Sequence, residues 1–229
     1  SMKKVKILWC LVLMVFSIVL FAGTVGYDQL EYRTVTLNNK TMPYRLFVPP
    51  VYNSQNKYPI IIFLHGAGEK GSDNEKQLKN YGQGSMYFIN TEFHAAYPTF
   101  YMAPQTTGGW NQDYLAMVQK AIAELSKEFN IDYERIYLTG ISLGGSGTFN
   151  FMTWAPDYFA AGIPMSFGSG DAEKLLNQNI WTFHAANDTV VGIGGTDGIV
   201  RAIRSLGGSI IYTRYDSGGH GIWSASYKN

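Results

Sequence analysis

Residues 135–145 read Arg135-Ile136-Tyr137-Leu138-Thr139-Gly140-Ile141-Ser142-Leu143-Gly144-Gly145. The run from 135 to 140 has the short apolar character of a strand. It leads into Gly140-Ile141-Ser142-Leu143-Gly144, a serine set between two glycines two residues to either side. This pattern needs a strand that turns into a helix so sharply that the serine adopts a strained backbone conformation. Gly140 and Gly144 remove side chains that would collide across the turn. Gly145 and Gly147 let the following helix pack close to neighbouring strands. A helix starting there aims its unpaired N–H groups and positive dipole end at the reacting atom. In a chain with 25 glycines the pattern alone is weak. The strand–turn–helix setting makes Ser142 the candidate nucleophile.

Working outward, residues 58–65 form a continuous apolar run, as expected for a strand buried on both faces. Segments 99–103, 161–166, 180–185 and 209–215 are similar. Between them, 114–129, 144–154 and 196–206 carry helical spacing. Strands alternating with helices imply an α/β fold, with a mostly parallel central sheet and helices on both faces. Segments 31–37 and 42–48 flank the polar Asn38-Asn39-Lys40 and predict an N-terminal antiparallel hairpin. No repeat or linker interrupts residues 27–229. At roughly 200 residues this is one catalytic domain with no room for a large lid.

Residues 1–26 differ. Lys3, Lys4 and Lys6 precede an uncharged, mostly apolar run over 7–26, the layout of an export signal. At about 20 residues it is also long enough for a membrane anchor. Either implies a secreted or cell-envelope protein. Cys10, the single cysteine, falls inside this run, so no intrachain disulfide can form. Hydrophobic residues make up 46% of the chain and charged residues 15%, which fills a core and excludes disorder. A formal net charge of +1 gives no reason to expect a nucleic-acid partner.

A serine hydroxyl needs a base to take its proton. In a sheet of this kind the partners follow the nucleophile in the order acid, then histidine. Of His65, His94, His184 and His220, only the last two come after Ser142. His184 lies inside 180–185 and reads as a core or strand-end residue. His220 sits in the loop Ser217-Gly218-Gly219-His220-Gly221, past the last strand, and is the expected base. Asp188 follows a strand end in Asn187-Asp188-Thr189 and is the expected acid. Asp171 and Asp197 read as helix-capping residues, and Asp216 is too close in sequence to His220. The negative oxygen of a tetrahedral intermediate needs fixed donors. The N–H of Leu143 and that of Ala67, with Gly68 as the alternative, are the candidates, and His65 shapes their loop. Glu69, Gln105 and Trp110 follow strand ends and are candidate substrate-binding residues. Glu69 also suits a loop-fixing acceptor, and Trp110 suits either a stacking platform or packing within its own domain.

The segment Phe63-Leu64-His65-Gly66-Ala67-Gly68-Glu69-Lys70-Gly71-Ser72-Asp73-Asn74 resembles a motif of secreted carboxylesterases and peptidase-like proteins. These are related to poly(3-hydroxybutyrate) depolymerases and to feruloyl and acetylxylan esterases. Ala103-Pro104-Gln105, Trp110, the GISLGG run, Asn187-Asp188 and Gly219-His220-Gly221 occur in the same order as in that group. The resemblance covers about residues 31–223. It implies the α/β-hydrolase fold and cleavage of a small-molecule or polysaccharide-linked ester, with no metal and no organic cofactor. Where that fold usually carries a complete final helix, little sequence follows Gly221. A peptidase using the same site and a non-catalytic binding protein keeping the fold are the two rival functions.

Overall fold

Residues 26–79 and 86–228 are described by a computed structural model. Strands β1 (Glu31–Leu37) and β2 (Lys40–Phe47) pair antiparallel, with Leu37 opposite Lys40. Asn38 and Asn39 make the turn at φ of 50° and 60°, a region asparagine tolerates better than most residues. The apolar run after them is β3 (Tyr58–Leu64). It is followed by α1 (Lys76–Lys79), α2 (Thr91–Ala96), β4 (Phe100–Pro104) and α3 (Gln112–Glu128). Next come β5 (Ile131–Ile141), α4 (Leu143–Trp154), β6 (Ala161–Met165) and α5 (Ala172–Leu175). The chain finishes with β7 (Trp181–Ala185), α6 (Gly194–Ser205), β8 (Ile211–Tyr215) and α7 (Trp223–Ser226).

The strands form one sheet in the order β1-β2-β4-β3-β5-β6-β7-β8. β2 runs antiparallel to β1 and β4, and every other neighbouring pair is parallel. Alternation along β3 separates two cores. Ile60, Ile62 and Leu64 face α3 and α4, beside Val118, Ile122, Phe149 and Phe151. Ile61 and Phe63 face the other side, where Leu78, Phe88, Ile222 and Tyr227 pack. The α/β class, the hairpin and the two-faced helical cover match the sequence expectation.

The differences are local. β5 begins at Ile131, not 135, because its first turn carries exposed Tyr133, Glu134 and Arg135 and so lacks the apolar signature of a buried strand. Helices α1, α2, α5 and α7 span six residues or fewer, too short for a helical period to register. Among the described residues no helix is long and apolar enough to cross a membrane. The segment read as an export signal or anchor, Cys10 included, lies outside the described residues apart from Gly26.

Candidate active site

β5 passes into α4 through Ser142, whose φ of 55° and ψ of −118° are sterically costly for a residue with a Cβ. Two contacts hold it there. Its N–H donates to the Met165 carbonyl at 3.0 Å, and its own carbonyl accepts from Ser146 N–H at 3.1 Å. The flanking glycines are required by space. A Cβ on Gly140 would lie 2.2 Å from the Gly144 carbonyl oxygen, and one on Gly144 would lie 1.9 Å from that of Leu64. That second approach sets the first turn of α4 directly against the end of β3. The loop carrying Ala67 therefore stands beside the N-terminus of α4, which begins at Leu143. The first N–H groups of a helix have no intrahelical acceptor.

At the carboxyl end of β7, Asp188 is fixed by its own turn. Its Oδ1 accepts from Val190 and Val191 N–H, both at 2.9 Å. Its Oδ2 lies 2.8 Å from His220 Nδ1. A carboxylate accepts, so Nδ1 carries a proton and donates it. Burial would raise the Asp188 carboxyl. The hydrogen bond from His220 and those from Val191 and Val190 N–H outweigh it and hold the group below its ordinary value. The neighbouring Asn187 accepts from Gly219 N–H at 2.9 Å, so consecutive residues anchor the His220 loop.

Sequence reasoning gave no role to Ser166. Buried, with φ of 53°, it donates its hydroxyl to the His220 carbonyl at 3.0 Å. Met165 holds Ser142 and Ser166 holds His220, so adjacent residues at the end of β6 tie the serine turn to the histidine loop. No pattern marks such a serine, because its partner is 54 residues away. His184 is the buried strand-end residue expected, but it also reaches Asp188 Oδ2 at 3.1 Å. Asp171 caps α5 as expected, accepting from Glu173 N–H. Asp197 does not cap α6. Its side chain crosses to β8, where it accepts from the Tyr212 hydroxyl at 2.7 Å and faces Arg214.

The three substrate-binding candidates are all buried, which for Glu69 and Trp110 agrees with the alternative readings the sequence left open. Trp110 is 4% exposed, its Nε1 donates to the His65 carbonyl at 3.0 Å, and a Cβ on Gly147 would lie 2.7 Å from it. It is the packed tryptophan rather than the stacking platform. Gln105 spends both ends of its amide. Oε1 accepts from Asn74 N–H at 2.6 Å, and Nε2 donates to the Glu69 carbonyl at 3.0 Å and to Asp73 Oδ1 at 3.1 Å. Glu69 is buried in the same loop. Gln105 thereby ties Asn74, Glu69 and Asp73 of this loop together. Strand-end position told where the three candidates lie along the chain, not which way their side chains turn. His65 shapes the loop as expected, with Nδ1–H donating to the Gly66 carbonyl at 2.7 Å and Nε2 accepting from Thr106 N–H at 3.0 Å. Burial pushes this imidazole down to about 4. Among the described residues no cluster of side chains suits a metal ion.

Comparison with known proteins agrees with this architecture. The Esterase family, described as "Putative esterase", matches residues 35–187, more than half of the chain. The bifunctional acetylxylan esterase/xylanase XynS20E of Neocallimastix patriciarum is 28% identical over 154 residues, covering 64% of this chain and 22% of that protein. A thermostable esterase of known structure is 35% identical with a TM-score of 0.82, covering 89% of this chain and 61% of that one. The feruloyl esterase module from Clostridium thermocellum shares the fold at 15% identity and a TM-score of 0.68, over 86% of this chain and 83% of that one. The chain thus spans under two thirds of the length of the first two. With the family match running from the hairpin through the Ser142 turn to Asn187, the chain belongs to the Esterase family and has the α/β-hydrolase fold.

Proposed function

We propose that the protein is a serine hydrolase that cleaves carboxylic esters, with Ser142 as nucleophile, His220 as base and Asp188 as acid. The observation that carries this is the His220 Nδ1–Asp188 Oδ2 contact of 2.8 Å, anchored by β6 to a serine at φ 55°. Ser142 Oγ attacks the ester carbonyl while its proton passes to His220 Nε2. The N–H groups of Ala67 and Leu143 take the negative oxygen. His220 returns the proton to the leaving alcohol. It then takes a proton from water, whose oxygen attacks the acyl-enzyme, and passes that proton to Ser142 Oγ as the acid is released. Asp188 stays charged throughout and steadies the imidazolium.

The substrate class is an ester on a small molecule or a polysaccharide. Its support is the acetylxylan esterase activity named for one relative and the feruloyl esterase named for a structural neighbour. Lys3, Lys4, Lys6 and the apolar run over 7–26 support export to such a substrate. The test is Ser142→Ala assayed on p-nitrophenyl acetate, acetylxylan and feruloyl esters. Hydrolysis falls on the order of 10³-fold or more while the circular dichroism spectrum is kept. Ordinary turnover by the folded variant contradicts the assignment.

A further inference from the structure

His184, the penultimate residue of β7, has no side-chain exposure, yet every nitrogen of its ring has a partner. Nδ1 lies 2.7 Å from the hydroxyl of Thr196, a fully buried residue in the first turn of α6. Nε2 lies 2.9 Å from the Val191 carbonyl and 3.1 Å from Asp188 Oδ2. A carbonyl oxygen only accepts, so Nε2 carries a hydrogen. The Thr196 hydroxyl, which can donate or accept, satisfies Nδ1. The single Nε2–H is shared between Val191 and the carboxylate.

The oxygen that His184 reaches is the one that His220 reaches at 2.8 Å. Asp188 Oδ1 is already taken by two backbone N–H groups. The carboxylate therefore sits among four donors: two from its own turn, one from the histidine loop and one from the floor of the sheet. The first three belong to loops. His184 alone belongs to a strand, paired in register with Arg214 of β8. Burying an imidazole costs free energy that an apolar side chain of similar size avoids. Here that cost secures a charge-assisted contact on the acid and, through Val191, the loop that presents it.

We propose that His184 is a positioning residue for the acid. It fixes Asp188 Oδ2 against the sheet so that the carboxylate meets His220 Nδ1 in one geometry. This rests on Asp188 and His220 being the acid and base proposed above. His184 touches no reacting atom and acts only through Asp188.

The test compares His184→Leu, which removes the donor and keeps apolar bulk, with His184→Gln, whose amide restores an N–H. Ser142→Ala is assayed beside them. Active sites are titrated with a fluorophosphonate, and kcat and KM for p-nitrophenyl acetate are measured per titrated site. His184→Leu lowers kcat by roughly 10- to 100-fold, the worth of one hydrogen bond to a charged group, with KM little changed. His184→Gln recovers most of the loss. The far-downfield proton between His220 and Asp188 broadens or shifts in His184→Leu and returns in His184→Gln. A merely structural histidine lowers the folded fraction and leaves kcat per site alone, and that result overturns the proposal. Should His184→Leu fail to fold, nitrogen-15 spectra of the wild-type histidines carry the test. They show a hydrogen on His184 Nε2, and a hydrogen on Nδ1 alone overturns the proposal. An active Ser142→Ala brings down the triad and this inference with it. An inactive Ser142→Ala beside a His184→Leu with wild-type kcat brings down this inference alone.

Discussion

The Asp188 carboxylate is the most constrained group of the site, accepting from Val190, Val191, His184 and His220 within 3.1 Å. All four partners donate, so the position is suited to an anion and to nothing that itself donates. Asp188→Asn keeps the shape and replaces one acceptor by an amide N–H. Wherever that N–H turns it meets a donor. Facing His220, it forces the ring to move its hydrogen to Nε2, the nitrogen that accepts from Ser142 in the proposed mechanism. The expected outcome is a loss of kcat/KM on the order of 10³- to 10⁴-fold on p-nitrophenyl acetate, with the fold retained. A loss under about tenfold contradicts a role for Asp188 in orienting the base.

Two connections between elements build the site, β5 to α4 and β3 to its following loop, and each depends on a different kind of residue. The first depends on missing atoms. A Cβ on Gly144 would lie 1.9 Å from the Leu64 carbonyl oxygen, and backbone on both sides gives it nowhere to go. Gly144→Ala is expected to lose upwards of about 3 kcal/mol in urea unfolding, or to fail to accumulate as soluble protein. Gly68→Ala in the neighbouring loop, where nothing lies within 4 Å of an added Cβ, is the control and stays near wild-type stability. The second connection depends on a neutral imidazole. His65 is buried, bonded to Gly66 and Thr106, and pushed by burial down to about 4 from an ordinary 6.5. On acidification the unfolded chain takes up this proton near pH 6.5 and the folded chain only near pH 4. The unfolded state binds more protons across that window, so stability falls as pH falls. The loss is on the order of 3 kcal/mol between these two limits and does not grow further below them. His94, also pushed by burial down to about 4, adds a loss of the same sign to urea midpoints, so the His65 ring proton is the measurement that shows this titration directly. A His65 that titrates near 6.5 in the folded protein contradicts it.

At the scale of the whole molecule, the fold was legible wherever burial was two-sided or alternation was clean. β3 announced itself by Tyr58–Leu64, and β1 and β2 by a polar turn between alternating strands. The start of β5 was not legible, because exposed Tyr133, Glu134 and Arg135 carry no apolar pattern. Ser142, Asp188 and His220 could be singled out as candidates because chain order and strand-end position restrict each choice to few residues, and the structure pairs His220 with Asp188. Trp110, Gln105 and Glu69 satisfied the same positional rule and turned inward, since position does not encode side-chain direction. Ser166 and the second contact of His184 depend on strands and loops that meet only in the folded sheet. What the sheet order accomplishes is convergence. β3, β5, β6 and β7 are neighbours and parallel, so their carboxyl ends deliver the Ala67 loop, Ser142, Ser166 and Asp188 to one edge. The most direct test of that convergence is to react the folded protein with a fluorophosphonate and map the adduct by peptide mass spectrometry. One phosphonyl group is expected on Ser142, formed in step with loss of ester hydrolysis, and none in protein unfolded by urea beforehand. An adduct on another residue, or full hydrolysis after Ser142 is modified, would contradict a serine esterase built on this turn.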